Sequence, residues 1–586
     1  MLWVARNGVM PPTKQPSALA SLAQSALAAQ LVSLCRTLQT VAQETTPAHA
    51  LSIAQTRLRP LWISSLPGCV RAQLLEEGAG ILATPVPDTG AMGAGPVPLY
   101  LLSLLLAPDI KRLRVELCCY YGCSHQAALL RLLTNQGSGL ESLQLARSAL
   151  LRLDHNLLHS ALLSAASLQR LILQNIASDS ILTVVGSACK NLTVLDVAHS
   201  RQVTDAGLRQ LFLQVEIRDK TQTTRCGTNV KGKLKTMRWS CLRKLLRPFS
   251  NLGFSRNSET KLADVSFLLE YCESRNPLCK SLRVLNIANT AVTSAGVLLA
   301  LRSAPGIHSL GDYCHMGRAL EVYERVCGPG NLPEFHLRSA RSSRTNLHRL
   351  ELLSSACPEL QRLSLSEPHH TPESLSLLPM TLTSLSLHGV PNSPIWVAKL
   401  LKFFEGPHGR NLKELVIRFF LPEFLTQIDL GSVLKNCTNL QSLVLDGANV
   451  DWLTDGELRL TELENIHLGK SVTAKAVTNL MKCAPNLARV HFFSCLDLTD
   501  DHLLKIRHPY LQCFYIYEAS CISAETINTL LANCVNLQST GNLSNWGLSC
   551  DAMRSVVSLI QDNNFQLQLN GGSHWFSPCF PCINQY

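Results

Sequence analysis

Thiols and one imidazole crowd a short stretch of the chain, at Cys118, Cys119, Cys123 and His125. These side-chain types at close spacing are what a zinc site draws on. Adjacent Cys118 and Cys119 on a strand point to opposite faces, so the set does not converge. Cys579 and Cys582 form a C-x-x-C pair without a second ligand pair. His369 and His370 fall in a turn-like EPHHTPE stretch and are expected in solvent. The sequence holds no G-x-x-x-x-G-K-[ST] phosphate loop, no H-E-x-x-H and no G-x-S-x-G elbow. The expectation is therefore no enzyme, no metal and no cofactor.

The elements that would position any site come from a repeat. The unit L-x-x-L-x-L starts at Leu168, Leu192, Leu282, Leu360, Leu382, Leu412, Leu440, Leu463, Leu487 and Leu511. Looser copies start at Ile110, Leu140, Ile307, Leu332 and Leu537. From Leu282 to Leu537 the steps run from 22 to 30 residues, within or close to the leucine-rich-repeat period. The fourth and sixth residues of a unit share one face of a short strand, and both are apolar, so that face is core. A helical pattern precedes each strand and often closes as C-x-x-L, as at Cys189, Cys357, Cys437 and Cys534, with Cys483 one residue further from its leucine. After several strands an apolar residue and a Thr or Ser introduce the next helix, at Thr204, Thr293, Thr473, Thr499 and Ser523. Such hydroxyls cap free N–H groups at helix starts. Strand on one side, helix on the other, repeated about fifteen times, predicts an α/β leucine-rich-repeat solenoid, a horseshoe, with an N-terminal helical cap region.

The repeats, together with VTDAGLRQL at 203–211 and LTDDHLLKI at 498–506, resemble the cysteine-containing leucine-rich repeats of ubiquitin-ligase receptors across about 110–550. Recurring cysteines at core positions read as buried, reduced packing thiols. Reduced thiols imply a cytoplasmic or nuclear protein.

The first hundred residues are helical in pattern and not repetitive. Leu31, four residues before Cys35, shares a helix face with it. Downstream, Leu66, Pro67, Val70 and Leu74 follow the order apolar-Pro-x-x-apolar-x-x-x-apolar. The two pieces resemble the VHL box of cullin–RING substrate receptors, and LVSLC is similar to the start of the zyg-eleven family. The resemblance implies that Leu31 and Cys35 bind Elongin C, with Elongin B alongside, and that Leu66, Pro67, Val70 and Leu74 meet a cullin. Gln30 and Gln39 depart from the box, and F-box helices begin similarly. The same helices also read as the cap that covers a solenoid's open end.

Strand positions that alternate with the core face the concave side. Midway along they are small and polar: Arg362, Ser364, Ser366, Ser384, Ser386 and His388. Towards the C-terminus they become Arg489, His491, Phe493, Tyr515 and Tyr517, the candidate anchors for a protein substrate. The other reading is that Phe493 and Tyr515 only cover the end of the core.

Composition agrees with a packed array. Hydrophobic residues make up 46%, enough for a core, and aromatics only 6%, so the core is aliphatic. The net charge of +11 is local, with +9 in residues 215–262 and +2 elsewhere, which argues against a general nucleic-acid surface. No apolar stretch approaches the roughly 20 residues of a membrane span. The expected division is a disordered 1–16, a helical 17–108, repeats over 109–213, a basic insertion at 214–262, repeats over 263–550, and a cap and tail at 551–586. The function expected is substrate recognition in a cullin–RING E3 ubiquitin ligase, or else a non-catalytic scaffold or signalling protein, or an F-box-type receptor.

Overall fold

Parallel strand pairing, taken in chain order, organises the molecule. The computed structural model describes residues 19–83, 97–117, 123–147, 154–213, 275–420, 426–504 and 506–569. Strands β1 (Arg112–Leu117), β2 (Ser142–Arg147), β3 (Arg170–Gln174), β4 (Val194–Asp196) and β5 (Val284–Asn286) pair consecutively. Ser309 then bridges β5 to β6 (Ser339–Ser343). The ladder continues through β7 (Arg362–Ser366), β8 (Ser384–Val390) and β9 (Glu414–Phe419). Strand β10 (Gln427–Asp429) leaves it to pair with β12 (Asn449–Asp451). Strands β11 (Ser442–Asp446), β13 (Asn465–Ser471), β14 (Arg489–Ser494), β15 (Cys513–Glu518), β16 (Ser539–Gly541) and β17 (Gln568–Leu569) complete the ladder. Every pairing between these strands is parallel. This is the leucine-rich-repeat solenoid.

Leucine spacing sets the register. Leu443 and Leu445 face Ile466 and Leu468 across β11 and β13, and all four are buried. Each such side chain contributes about 1.5–3 kcal/mol on leaving water. Cysteine closes the helix side. Cys189, Cys357, Cys437 and Cys534 are fully buried, and each ends its helix by donating its N–H to a carbonyl four residues back. Cys279 holds the same place before Leu282. In the repeat of β15 a histidine replaces it: buried His508 donates from Nε2 to the Met481 carbonyl at 2.6 Å.

The helix starts couple neighbouring repeats. Thr204, Thr293, Thr473 and Ser523 each accept a backbone N–H in the first turn of their own helix. An aspartate of the preceding repeat grips each of these caps, with Thr473 Oγ1 donating to Asp451 at 2.7 Å. Thr204 N and Oγ1 donate to Asp179 at 2.8 and 2.6 Å, and Thr293 N and Oγ1 to Asp205 at 2.7 and 2.5 Å. Ser523 N donates to Asp500 at 2.9 Å. Glycine makes room for the carboxylates, since a Cβ on Gly207 or Gly296 would lie 2.2 Å from Asp179 Oδ1 or Asp205 Oδ1.

Helices α1 (Leu19–Glu44), α2 (Pro47–Ile53), α3 (Arg59–Ser65), α4 (Gly68–Ala83) and α5 (Val97–Leu105) cover the N-terminal end, with α1 lying on α4 and α5. Arg71 pins the layer. Its buried guanidinium donates to the carbonyls of Leu66 at 3.0 Å and Leu105 at 2.9 Å, and pairs with Asp109. At the other end Trp546 is fully buried and donates Nε1–H to the Ile516 carbonyl at 2.9 Å.

The ladder differs from the sequence expectation in three places. The repeat assigned to Leu332 begins five residues later, because Leu337 and Ala340 supply the inward positions of β6. The interval from Leu192 to Leu282, long enough by sequence for about two repeats plus an insertion, adds one step, since Val194 pairs directly with Val284. Strand β17 adds a rung beyond Leu537. The basic insertion and the C-terminal tail lie outside the described residues, apart from the helix Cys550–Asp562 and β17.

Candidate functional site

The residues read as adaptor contacts divide between core and surface. Leu31, Cys35 and Leu74 are fully buried, and burial pushes the Cys35 thiol up to about 12. They meet the chain's own helices, so as placed they present nothing to Elongin C. This corrects the expectation for Leu31 and Cys35, and places Leu74 in the core too. The helix face is apolar as the sequence implied, and α4 and α5 cover it. Pro67 is exposed, and Leu66 and Val70 are half-buried. Beside them α3 has no buried residue, and its Leu61 is 63% exposed. Apolar surface left on the cap among the described residues thus includes α3 and the first turn of α4, besides Leu19 and Leu22 at the start of α1.

The concave face is built by strand alternation. Its N-terminal part carries a hydrogen-bonded polar chain. Gln174 Nε2 donates to Asp196 at 3.2 Å, Asn286 Nδ2 donates to Asp312 at 3.3 Å, and Arg341 pairs with Asp312 at 3.0 Å. Burial raises the Asp196 pKa, although the Ala198 N–H, Gln174 and Asn286 all stabilise its charged form. The middle part is floored by Ser364, Ser366, Ser384 and Ser386, all half-buried. His388 lies in register with Ser366 and Arg418. Burial, followed by the charges of Arg418 and Arg341, lowers His388 to about 4.

The C-terminal part holds the proposed anchors, and they stack. His491 pairs across the ladder with Tyr515 at a ring separation of 5.8 Å, and Phe493 stacks on Tyr517 at 5.0 Å. His467 adjoins His491 at 6.1 Å, and Cys513 Sγ lies 3.7 Å from His491 Nε2. Arg489 is exposed, and Phe493 and Tyr517 are half-buried. His491 and Tyr515 are only 7% and 5% exposed. Burial, with the His467 and Arg489 charges, lowers His491 to about 3. The structure sets these five residues side by side, but His491 and Tyr515 are packing residues and not open anchors. Arg341, Asn286, Asp312 and Arg418 were missed as inward-facing groups. The strand period could have found Asn286 and Arg418; Arg341 was hidden by the misplaced repeat at Leu332.

Metal and thiol chemistry has little to work with. Among the described residues no three His, Cys, Asp or Glu side chains cluster closely enough to hold a metal. Cys118, Cys119, Cys579 and Cys582 lie outside the described residues, as do the side chains of Cys123 and His125. His369 is exposed as expected, but His370 is buried and bonds Ser374 at 2.9 Å. The buried repeat thiols are unreactive by position, with Cys357 and Cys437 pushed up to about 12 by burial.

Solved structures with a similar fold include the Rad7–Elc1 complex of yeast, at 13% identity over 95% of this chain and 99% of that chain, with a TM-score of 0.36. A leucine-rich-repeat protein of Leptospira interrogans matches at 13% over 85% and 98%, with a TM-score of 0.30. An internalin of Listeria monocytogenes matches at 15% over 51% and 84%, with a TM-score of 0.32. No protein-family model and no curated protein matches the chain. The fold assignment rests on the ladder itself.

Proposed function

We propose that this solenoid is a non-catalytic protein-recognition surface. The observation that carries this reading is the half-open concave floor from β6 to β9. There serines alternate with Arg341, Arg362, His388 and Arg418 over a continuous hydrophobic base. A long, fixed, shallow array of polar groups suits a partner's surface better than a small substrate. Its finer form is the substrate receptor of a cytoplasmic or nuclear cullin–RING ubiquitin ligase, holding its cargo near the charged ubiquitin carrier. The surface available for an adaptor or cullin is then Leu61, Leu66, Pro67 and Val70, not Leu31 and Cys35.

Affinity purification of the tagged full chain tests both levels. Elongin B, Elongin C and a cullin co-purify with the wild type and are lost with Leu61→Asp plus Val70→Asp, while the melting temperature holds. Absence of all three from the wild type removes the ligase reading and leaves a scaffold. Loss of captured proteins with Arg362→Glu plus Arg418→Glu supports recognition by the concave face; retention places it elsewhere.

A further inference from the structure

The residue that follows several strands turns the chain with a positive φ. These residues form a row along one edge of the array: Asn175 at 61°, His199 at 62° and Asn289 at 55°, then Gly311, Arg344, Glu367 and Gly389. Left-handed backbone is uncommon for residues with a Cβ, and glycine relieves it. Further along the row the side chains satisfy one another, as Arg344 pairs with Glu367 at 3.0 Å. At the first three places they border a cleft of about 660 Å³, lined also by Ser200 and Arg201.

Among the described residues that line the cleft, Arg201 carries the one charge. Asn289 Nδ2 donates to His199 Nδ1 at 3.3 Å. An amide nitrogen only donates, so Nδ1 accepts and the neutral ring carries its proton on Nε2. That N–H has no partner among the described residues, and neither does the exposed Arg201 guanidinium. Ser200 is already used within the array, accepting from the Ala177 N–H and donating to the Leu173 carbonyl. Among the described residues no carboxylate and no phenylalanine, tyrosine or tryptophan ring lines the cleft.

We propose that this edge cleft binds a carboxylate side chain of an acidic peptide segment in a partner protein. Arg201 supplies the charge and a two-pronged donor set, and the His199 Nε2–H supplies a third donor. The Asn289 amide fixes the tautomer that makes this possible. The site stands apart from the concave floor, so the partner would grip the solenoid at its edge.

Fluorescence anisotropy on the full chain, with a labelled octaglutamate peptide and its octaglutamine counterpart, is the test. The wild type should prefer the glutamate peptide by about tenfold at low salt, and the preference should shrink as salt rises. His199→Asn plus Arg201→Gln should abolish the preference; asparagine tolerates the left-handed backbone, so the turn is kept. Arg201→Lys should retain part of it. An unchanged preference in the double variant, or no preference in the wild type, overturns the inference. Loss with Arg418→Gln alone would also overturn it while leaving concave recognition intact.

Discussion

In the repeats and in the N-terminal cap, apolar residues at regular spacing mean different things. In the repeats each unit packs against a copy of itself, so the pattern names both the buried face and what buries it. Leu443 and Leu445 stand in register with the equivalent residues of β9 and β13. In the cap each helix is unlike its neighbours. Leu31 and Cys35 share a face, but nothing in their spacing says whether the chain or another protein covers it. The structure gives that face to α4 and α5. A motif made of apolar residues on a helix is therefore evidence of burial, and not of a partner.

The largest expected effect tests that contrast directly. Leu31→Ala should destabilise the protein by about 2–5 kcal/mol, as should Leu445→Ala in the array. Urea denaturation followed by circular dichroism measures both. A Leu31→Ala protein with wild-type stability would mean that α1 faces a partner after all.

Next in size is the coupling between repeats. Asp205→Ala removes both acceptors of Thr293 and should cost about 1–2 kcal/mol. Gly296→Ala, which pushes a methyl group against the same carboxylate, should cost a similar amount and add little on top of Asp205→Ala. Additive losses in the double variant would show that the glycine serves something other than the aspartate.

A smaller effect follows from His388. Its folded pKa of about 4 lies below the ordinary 6.5, so the unfolded chain binds the extra proton first. Stability is complete above about 6.5 and declines as pH falls towards 4. His388→Gln should flatten stability against pH in that window. A variant with the same slope would assign it to other groups, such as His491, which burial also keeps neutral.

The smallest change is one of rate. In the native protein a thiol reagent at pH 8 should modify the exposed Cys69, Cys521 and Cys550 and leave Cys189, Cys357 and Cys437 intact. Mass spectrometry of the labelled peptides reads this. Rapid labelling of Cys357 would mean that the repeats open far more readily than their burial implies.

Nearly the whole ladder was legible because period 2 within a strand and about 25 residues between strands leave few alternatives. The caps at Thr204, Thr293, Thr473 and Ser523 were legible for the same reason. Three things were not. The strand β6 reads SARSS, with little apolar signal, so its register drifted to Leu332. The aspartate clamps join residues far apart in sequence, 88 for Asp205 and Thr293. The depth of His491 and Tyr515 depends on everything around them, which a strand pattern does not describe.

Leu213 bridges Arg275, Phe212 accepts the Asn276 N–H at 2.8 Å, and β4 lies directly against β5. The described residues on either side, Leu213 and Arg275, therefore meet at one point of the solenoid. A short glycine–serine turn from Leu213 to Arg275 is expected to keep the stacking, and an unchanged melting temperature would check it.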